Sequence, residues 1–185
     1  MINDILAEAE IGMAKALESL ERELSNIRTG RASASLVEDV EVDAYGVAQP
    51  IKAVASVSVP EARLLVIQPW DKSLIEVIER GLEQSTLGIT PGNDGNVIRL
   101  PFPPLSEERR KELVKVVYQK VEESKVSLRN VRRSAMESIR GAEKEKLASE
   151  DDARRAIDEL EELTKRNVKN MDGMGKHKES DVLEV

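Results

Sequence analysis

The sequence predicts an α+β fold: a long three-helix bundle with a small β/α/β sandwich domain inserted between its first and second helices. Two observations carry this. Apolar residues recur in steps of three or four before residue 28 and again after residue 106, whereas residues 32–104 switch to short β-branched runs broken by turn residues. A third supports it: aromatic residues are only 2% of the 185, namely Trp70, Tyr45, Tyr118 and Phe102. Ala, Val, Leu and Ile must therefore fill the core, which suits helix bundles.

The first helix follows from Leu6, Ala9, Met13, Leu17, Leu20, Leu24 and Ile27, one continuous apolar stripe. "RTGR" ends it, with Gly30 as a left-handed cap. Strands are expected in "VEDVEVDAYG", "IKAVASVSV", "RLLVIQP" and "NVIRLP", with Tyr45-Gly46 as a hairpin turn between strands near Val40 to Ala44 and Val47 to Pro50. "DKSLIEVIERGLEQSTLG" reads as one short helix capped by Asp71 or Ser73, with Leu74, Ile75, Ile78 and Leu82 inward. Trp70 in "QPWDKS" could offer a stacking platform, but at a strand-to-helix junction it is expected to pack.

Helix resumes after "LPFPPL", with Ser106 as cap and Glu107 and Glu108 in its first turn. The stripe Leu113, Val117, Val121, Leu128, Val131, Ala135, Ile139 and Ala142 then runs for about 60 Å at about 1.5 Å per residue, passing through Gly141. "SEDDARRAIDELEELTKRNV" restarts the pattern with Ser149 as cap; Ile157, Leu160, Leu163, Val168 and Met171 continue it. The last stretch, "MDGMGKHKESDVLEV", carries Gly173 and Gly175 and is expected to fray or break.

None of three such helices can bury its apolar stripe alone, so they pack together, and residues 1–30 plus 105–185 form the bundle around an inserted 31–104. The two connections, Thr29-Gly30-Arg31 and Pro101-Phe102-Pro103-Pro104, suggest a hinge restricted in direction; a rigid junction reads equally well.

Charge points to function. The net charge is −7, yet residues 106–148 hold 12 basic and 8 acidic side chains and are the only net-positive segment. On a helical wheel Lys125, Arg129, Arg132 and Arg140 share a sector of about 80° beside the apolar stripe, with Arg133 at its edge. Such a run is commonly a solvated face paired to acids on neighbouring helices. Here Glu137 is the only acid among residues 127–140, and arginine outnumbers lysine four to zero from 129 to 140. Guanidinium forks match phosphate oxygens, so an anionic partner, a nucleic-acid backbone, is the reading these residues favour. The alternative is a non-catalytic coiled-coil adaptor whose arginines meet acidic protein partners.

Catalysis finds little support. The chain lacks cysteine, and His177 is its one histidine. "GITPGNDGN" has no Gly-Lys-Ser/Thr ending and reads as a turn, not a phosphate loop. The amino terminus is charged throughout, unlike a signal peptide or membrane span, which suggests a soluble cytoplasmic protein.

Four motifs in order, "IRTGRAS" at 27–33, "FPPLSEERRK" at 102–111, "RNVRR" at 129–133 and "SEDD" at 149–152, make the whole chain resemble the ribosome recycling factors of bacteria and organelles. The resemblance implies an L-shaped, transfer-RNA-like monomer: a three-helix bundle and a small hinged β/α/β domain. It implies binding to the post-termination ribosome and, with elongation factor G and GTP hydrolysed by that partner, separation of the subunits. No cofactor or catalytic residue of its own is implied. Arg129 and Arg132 would then touch large-subunit ribosomal RNA, Arg132 being most tied to function. Arg28, Arg31, Arg110 and Arg133 would lie near the RNA-facing surface, and elongation factor G would act on the position of the small domain. The glycines of the carboxyl end depart from the family, whose members stay helical there.

Overall fold

The computed structural model describes residues 1–184, and the chain divides into two compact units, Met1–Thr29 with Glu107–Val185 and Gly30–Ser106.

The first unit is built from α1 (Ile2–Ser25), α4 (Glu107–Lys144) and α5 (Glu150–Leu183), each packed on the other two. Between them the inserted unit supplies α2 (Ile51–Val54), α3 (Ile75–Gln84) and six strands. The expected stripes supply the bundle core, with Met13, Leu20, Leu128, Ile139 and Leu160 fully buried. α1 and α4 run antiparallel, since the Ser124 hydroxyl donates to the Ala16 carbonyl at 3.2 Å and Lys120 pairs with Glu23 at 3.6 Å. α4 and α5 are also antiparallel, joined through a left-handed Lys146 (φ 58°). Ser149 caps α5 by accepting from the Asp152 amide at 3.1 Å, and Glu150, Asp151 and Asp152 fill the positive first turn.

One core position is polar. Asn167, four residues beyond Leu163, is 8% exposed, and its amide donates to the Leu163 carbonyl at 2.8 Å. A buried amide is tolerated where a hydrogen bond replaces its hydration.

α1 stops at Ser25 with Asn26 in the right-handed region, so "RTGR" does not cap it. Gly30 is left-handed (φ 78°), but it belongs to the inserted unit.

The carboxyl end corrects the expectation of a break: α5 runs unbroken through Gly173 and Gly175 to Leu183. Glycine costs about 1 kcal/mol of helix propensity relative to alanine. Tertiary contacts offset that cost, because Met171, Gly175 and Val182 are buried and the Tyr118 hydroxyl donates to the Glu179 carboxylate. At Gly175 a Cβ would lie 2.9 Å from Val121 Cγ2, so the missing side chain lets α5 approach α4. At Gly173 a Cβ would meet nothing within 4 Å. Gly173→Ala is therefore expected to stabilise the protein by about 0.5–1 kcal/mol. Gly175→Val should instead destabilise it by about 1–3 kcal/mol through overpacking. Thermal denaturation followed by circular dichroism checks both signs.

The inserted unit contains an antiparallel hairpin, β1 (Glu41–Ala44) with β2 (Val47–Pro50), and an antiparallel four-stranded sheet. The sheet holds β3 (Ala55–Glu61), β4 (Leu64–Pro69), β5 (Gly92–Asn93) and β6 (Ile98–Pro101) in the order β3-β4-β6-β5. Register places Leu65 opposite Leu100 and Ile67 opposite Ile98, so the two central strands send one alternating face inward. That face joins Val42 and Ala44 of β1 and Ile75, Ile78 and Leu82 of α3 in one core. "IKAV" forms α2 before β3 begins, where a longer strand was expected. Asp71 caps the 3-10 turn Lys72–Leu74 ahead of α3 by accepting from the Ser73 amide at 3.0 Å.

"GITPGNDGN" holds the two-residue β5 and the turn that follows it. The Asp94 carboxylate accepts from the amides of Val97 (3.0 Å) and Asn96 (2.9 Å) and from Arg99 (2.7 Å). The Val97 amide, then Arg99, hold its carboxyl far below the usual range.

Two residues expected in the second connection are anchored instead. Pro101 pairs with Leu64 in β6, and Phe102 is a buried core residue whose amide donates to the Arg63 carbonyl at 2.7 Å. Trp70 also departs from expectation: it does not pack but is 70% exposed. Strand parity explains this. Leu65, Ile67 and Pro69 take the inward positions, leaving Trp70 on the outward alternation with Gln68.

Candidate nucleic-acid interface

α4 is amphipathic, and the cations lie where its apolar stripe meets α5. Lys125 reaches Asp172 at 2.7 Å and Glu122 at 3.4 Å, with its side chain 16% exposed. The bond to Asp172 pushes its ammonium pKa up, so the pair contributes stability below the usual lysine pKa and loses it as pH rises through the elevated one. Two turns on, Arg132 donates from Nε to Glu161 Oε1 at 2.9 Å, and a second guanidinium nitrogen bonds the same oxygen. Its side chain remains 39% exposed.

The expected pairing to a neighbouring helix thus operates at two positions. It does not reach Arg129, Arg133 or Arg140, whose exposed side chains make no hydrogen bond or ion pair with a described residue. Arg129 falls on the row between the anchored Lys125 and Arg132, so an unneutralised guanidinium is flanked by two held in place.

Not all the expected cations join this row. Arg140 lies about 12 Å further along the helix from Arg132, and Arg110 about 28 Å before Arg129, at about 1.5 Å per residue. Arg110 is half-buried, and Arg28 is exposed at the same end of the bundle, where Glu23 meets Lys120. Arg31 belongs to the inserted unit. The bundle therefore holds two groups of cations, one near the start of α4 and one centred on Arg129 and Arg132.

Sequence reasoning missed the contribution of α5. The pairs Lys125 with Asp172 and Arg132 with Glu161 fix the antiparallel register, and Lys165, Val168 and Lys169 lie on α5 between the two acids that hold the row. Thr164, Lys165, Val168, Lys169, Asp172, Gly173 and Lys176 line an open hollow of about 540 Å³. Lys169 and Lys176 are exposed and make no ion pair with a described residue. Their spacing on α5 could have revealed them; the acidic balance of residues 149–185 masked it. Glu137 and the exposed Asp158 bound the cationic region near Arg132.

Among the described residues no group of three or more His, Cys, Asp and Glu side chains could hold a metal ion. No described helix is long and apolar enough to cross a membrane. What the arrangement offers is oriented guanidinium and ammonium groups, which suits contacts to a phosphate backbone.

The sequence model of the family described as "Ribosome recycling factor" matches residues 20–183. A ribosome-recycling factor of Roseiflexus sp. (strain RS-1) is 52% identical over 185 residues, covering 100% of both chains. The solution structure of a ribosome recycling factor superposes with a TM-score of 0.75 at 41% identity, covering 100% of this chain and 98% of that one. A second structure, of models for the T. thermophilus ribosome recycling factor and E. coli elongation factor G bound to the E. coli post-termination complex, gives a TM-score of 0.63 at 38% identity, with 99% of each chain covered.

Proposed function

Since the chain belongs to the ribosome recycling factor family, we propose that it binds the post-termination ribosome and, with elongation factor G, separates the subunits for a new round of translation. The observation that carries this is a full-length match spanning both units, so that neither the bundle nor the inserted unit lacks its counterpart.

The bundle would dock on large-subunit ribosomal RNA through Arg129 and Arg132, with Lys125 held beside them and Arg133 and Arg140 extending the contact. Arg28, Arg110 and Arg31 would meet RNA elsewhere. An unpaired Arg129 can neutralise a phosphate without first breaking a native bond, and Glu161 holds Arg132 with part of its guanidinium exposed. The acidic remainder of the protein would repel RNA, so the cationic region also fixes orientation.

Subunit separation would draw on GTP hydrolysed by elongation factor G; the chain contributes no cofactor and no catalytic step. Force would pass between the units through Thr29, Gly30, Arg31, Pro103 and Pro104, the connection residues not built into a strand or core. The protein would act as a cytoplasmic monomer.

Sucrose-gradient analysis of post-termination ribosomes tests this reading. With elongation factor G and GTP, the protein is expected to convert whole ribosomes to subunits, and to fail when either is left out. Ribosomes left intact in the complete mixture would overturn it.

A further inference from the structure

The chain holds two Asp-Gly pairs, Asp94-Gly95 and Asp172-Gly173. Such a pair is chemically labile, because the glycine amide nitrogen has no side chain to hinder it and a backbone that turns freely. That nitrogen can attack the aspartyl Cγ. A C–N bond forms, the side-chain hydroxyl leaves with the amide proton as water, and a succinimide ring results. Water then opens the ring at either carbonyl, returning aspartate or giving isoaspartate, whose main chain is one carbon longer. No oxidant, reductant or cofactor is consumed.

The two pairs differ in what protects them. Asp172-Gly173 lies inside α5, where helical geometry holds the Gly173 amide in the hydrogen-bond ladder and Asp172 is paired with Lys125 at 2.7 Å. Asp94-Gly95 lies in the exposed turn between β5 and β6, with Gly95 in the left-handed region (φ 87°). Local contacts must do there what a helix does in α5.

Each reacting group of the turn is occupied. Asp94 Oδ1 accepts from the amides of Asn96 at 2.9 Å and Val97 at 3.0 Å, and Oδ2 accepts from Arg99 at 2.7 Å. These bonds favour the charged carboxylate, which has no hydroxyl to expel, and so deplete the neutral acid from which the ring closes. The nucleophile is tied as well. The Gly95 amide donates to Asn93 Oδ1 at 3.1 Å, and Asn93 Nδ2 donates in turn to Glu79 Oε1 on α3 at 2.6 Å. Arg99 is placed by β6, where it lies between Val66 of β4 and Gly92 of β5. The turn is thus held from α3 on one side and from β6 on the other.

We propose that Asp94-Gly95 is a site of succinimide and isoaspartate formation that the native fold holds shut through Arg99, the Asn96 and Val97 amides, and Asn93. Its opening would reach the core of the inserted unit. Asn93 pairs with the buried Ile98 across the turn, and an extra main-chain carbon between them breaks that register.

The full chain is incubated for weeks at neutral pH, folded in buffer and unfolded in guanidinium chloride, and isoaspartate at each pair is read by peptide mapping with electron-transfer fragmentation. Asp172 serves as the internal reference. In the unfolded chain both pairs are expected to isomerise, and in the folded chain Asp94 should do so more slowly by about tenfold or more. Arg99→Gln, at a half-exposed position on the outward sheet face, should speed the folded reaction at Asp94 by about threefold to tenfold and leave Asp172 unchanged. Asn93→Ala, which frees the Gly95 amide, should act in the same direction. Isomerisation of Asp94 as fast in the folded chain as in the unfolded one would overturn the proposal. So would native rates in both variants, or an equal acceleration at Asp172, which would mark a general loss of structure in place of a local lock.

Discussion

Arg132→Glu is expected to lower affinity for the large ribosomal subunit by roughly thirtyfold or more while leaving the protein folded. A hydrogen bond to a charged group contributes about 1.5–3 kcal/mol, and the reversed charge adds repulsion from phosphate. The cost to folding is smaller. The partner Glu161 is on α5 and both side chains are more than a third exposed, so the lost ion pair contributes about 0–1 kcal/mol. The new carboxylate beside Glu161 adds a modest, salt-screened repulsion. Glu161→Gln separates the two roles. It removes the same ion pair but keeps the guanidinium, so a purely structural Arg132 predicts equal behaviour of the two variants. An RNA contact predicts that only Arg132→Glu loses binding.

The second large effect concerns folding. Leu160→Ala should destabilise the bundle by about 2–5 kcal/mol, because Leu160 is fully buried among α1, α4 and α5 and the helices cannot close over the space it leaves. Against the about 5–15 kcal/mol that usually stabilises a native protein, this is a large share. The inserted unit has a separate core of Leu65, Ile67, Ile78, Ile98 and Leu100, among others. Its amide resonances are expected to keep their native positions in the variant while the bundle melts at lower temperature. Loss of both sets of resonances in one transition would show that the units do not fold independently.

Periodicity made the architecture legible because long helices and short strands repeat their burial at different intervals. Leu160, Leu128 and Ile139 lie where their stripes place them. Asn167 was illegible for the same reason: an apolar count skips a polar residue, and only the Leu163 carbonyl shows how its burial is tolerated. Gly173 and Gly175 mislead through intrinsic propensity, since what keeps α5 helical is Val121 and Tyr118 on a helix some 50 residues earlier. Phe102, flanked by prolines, looked like connection, yet its side chain closes the core of the inserted unit.

The interface divides in the same way. Spacing on α4 placed Lys125, Arg129 and Arg132 in one row. It did not show that Asp172 and Glu161 hold two of them and leave Arg129 unpaired, because that depends on the register between helices. Lys169 and Lys176 enter the same region only through that register. The net charge of −7 concealed a cationic region that becomes visible once three helices are packed.

Cosedimentation with isolated large subunits across a series of salt concentrations tests the central claim most directly, using the unmodified protein, Arg132→Glu and Glu161→Gln. Binding through the arginine row predicts that affinity of the unmodified protein falls log-linearly with salt. Arg132→Glu should bind weakly, with a slope reduced by about one, and Glu161→Gln should bind at least as well as the unmodified protein. Equal affinity of all three proteins at every salt concentration would contradict the account.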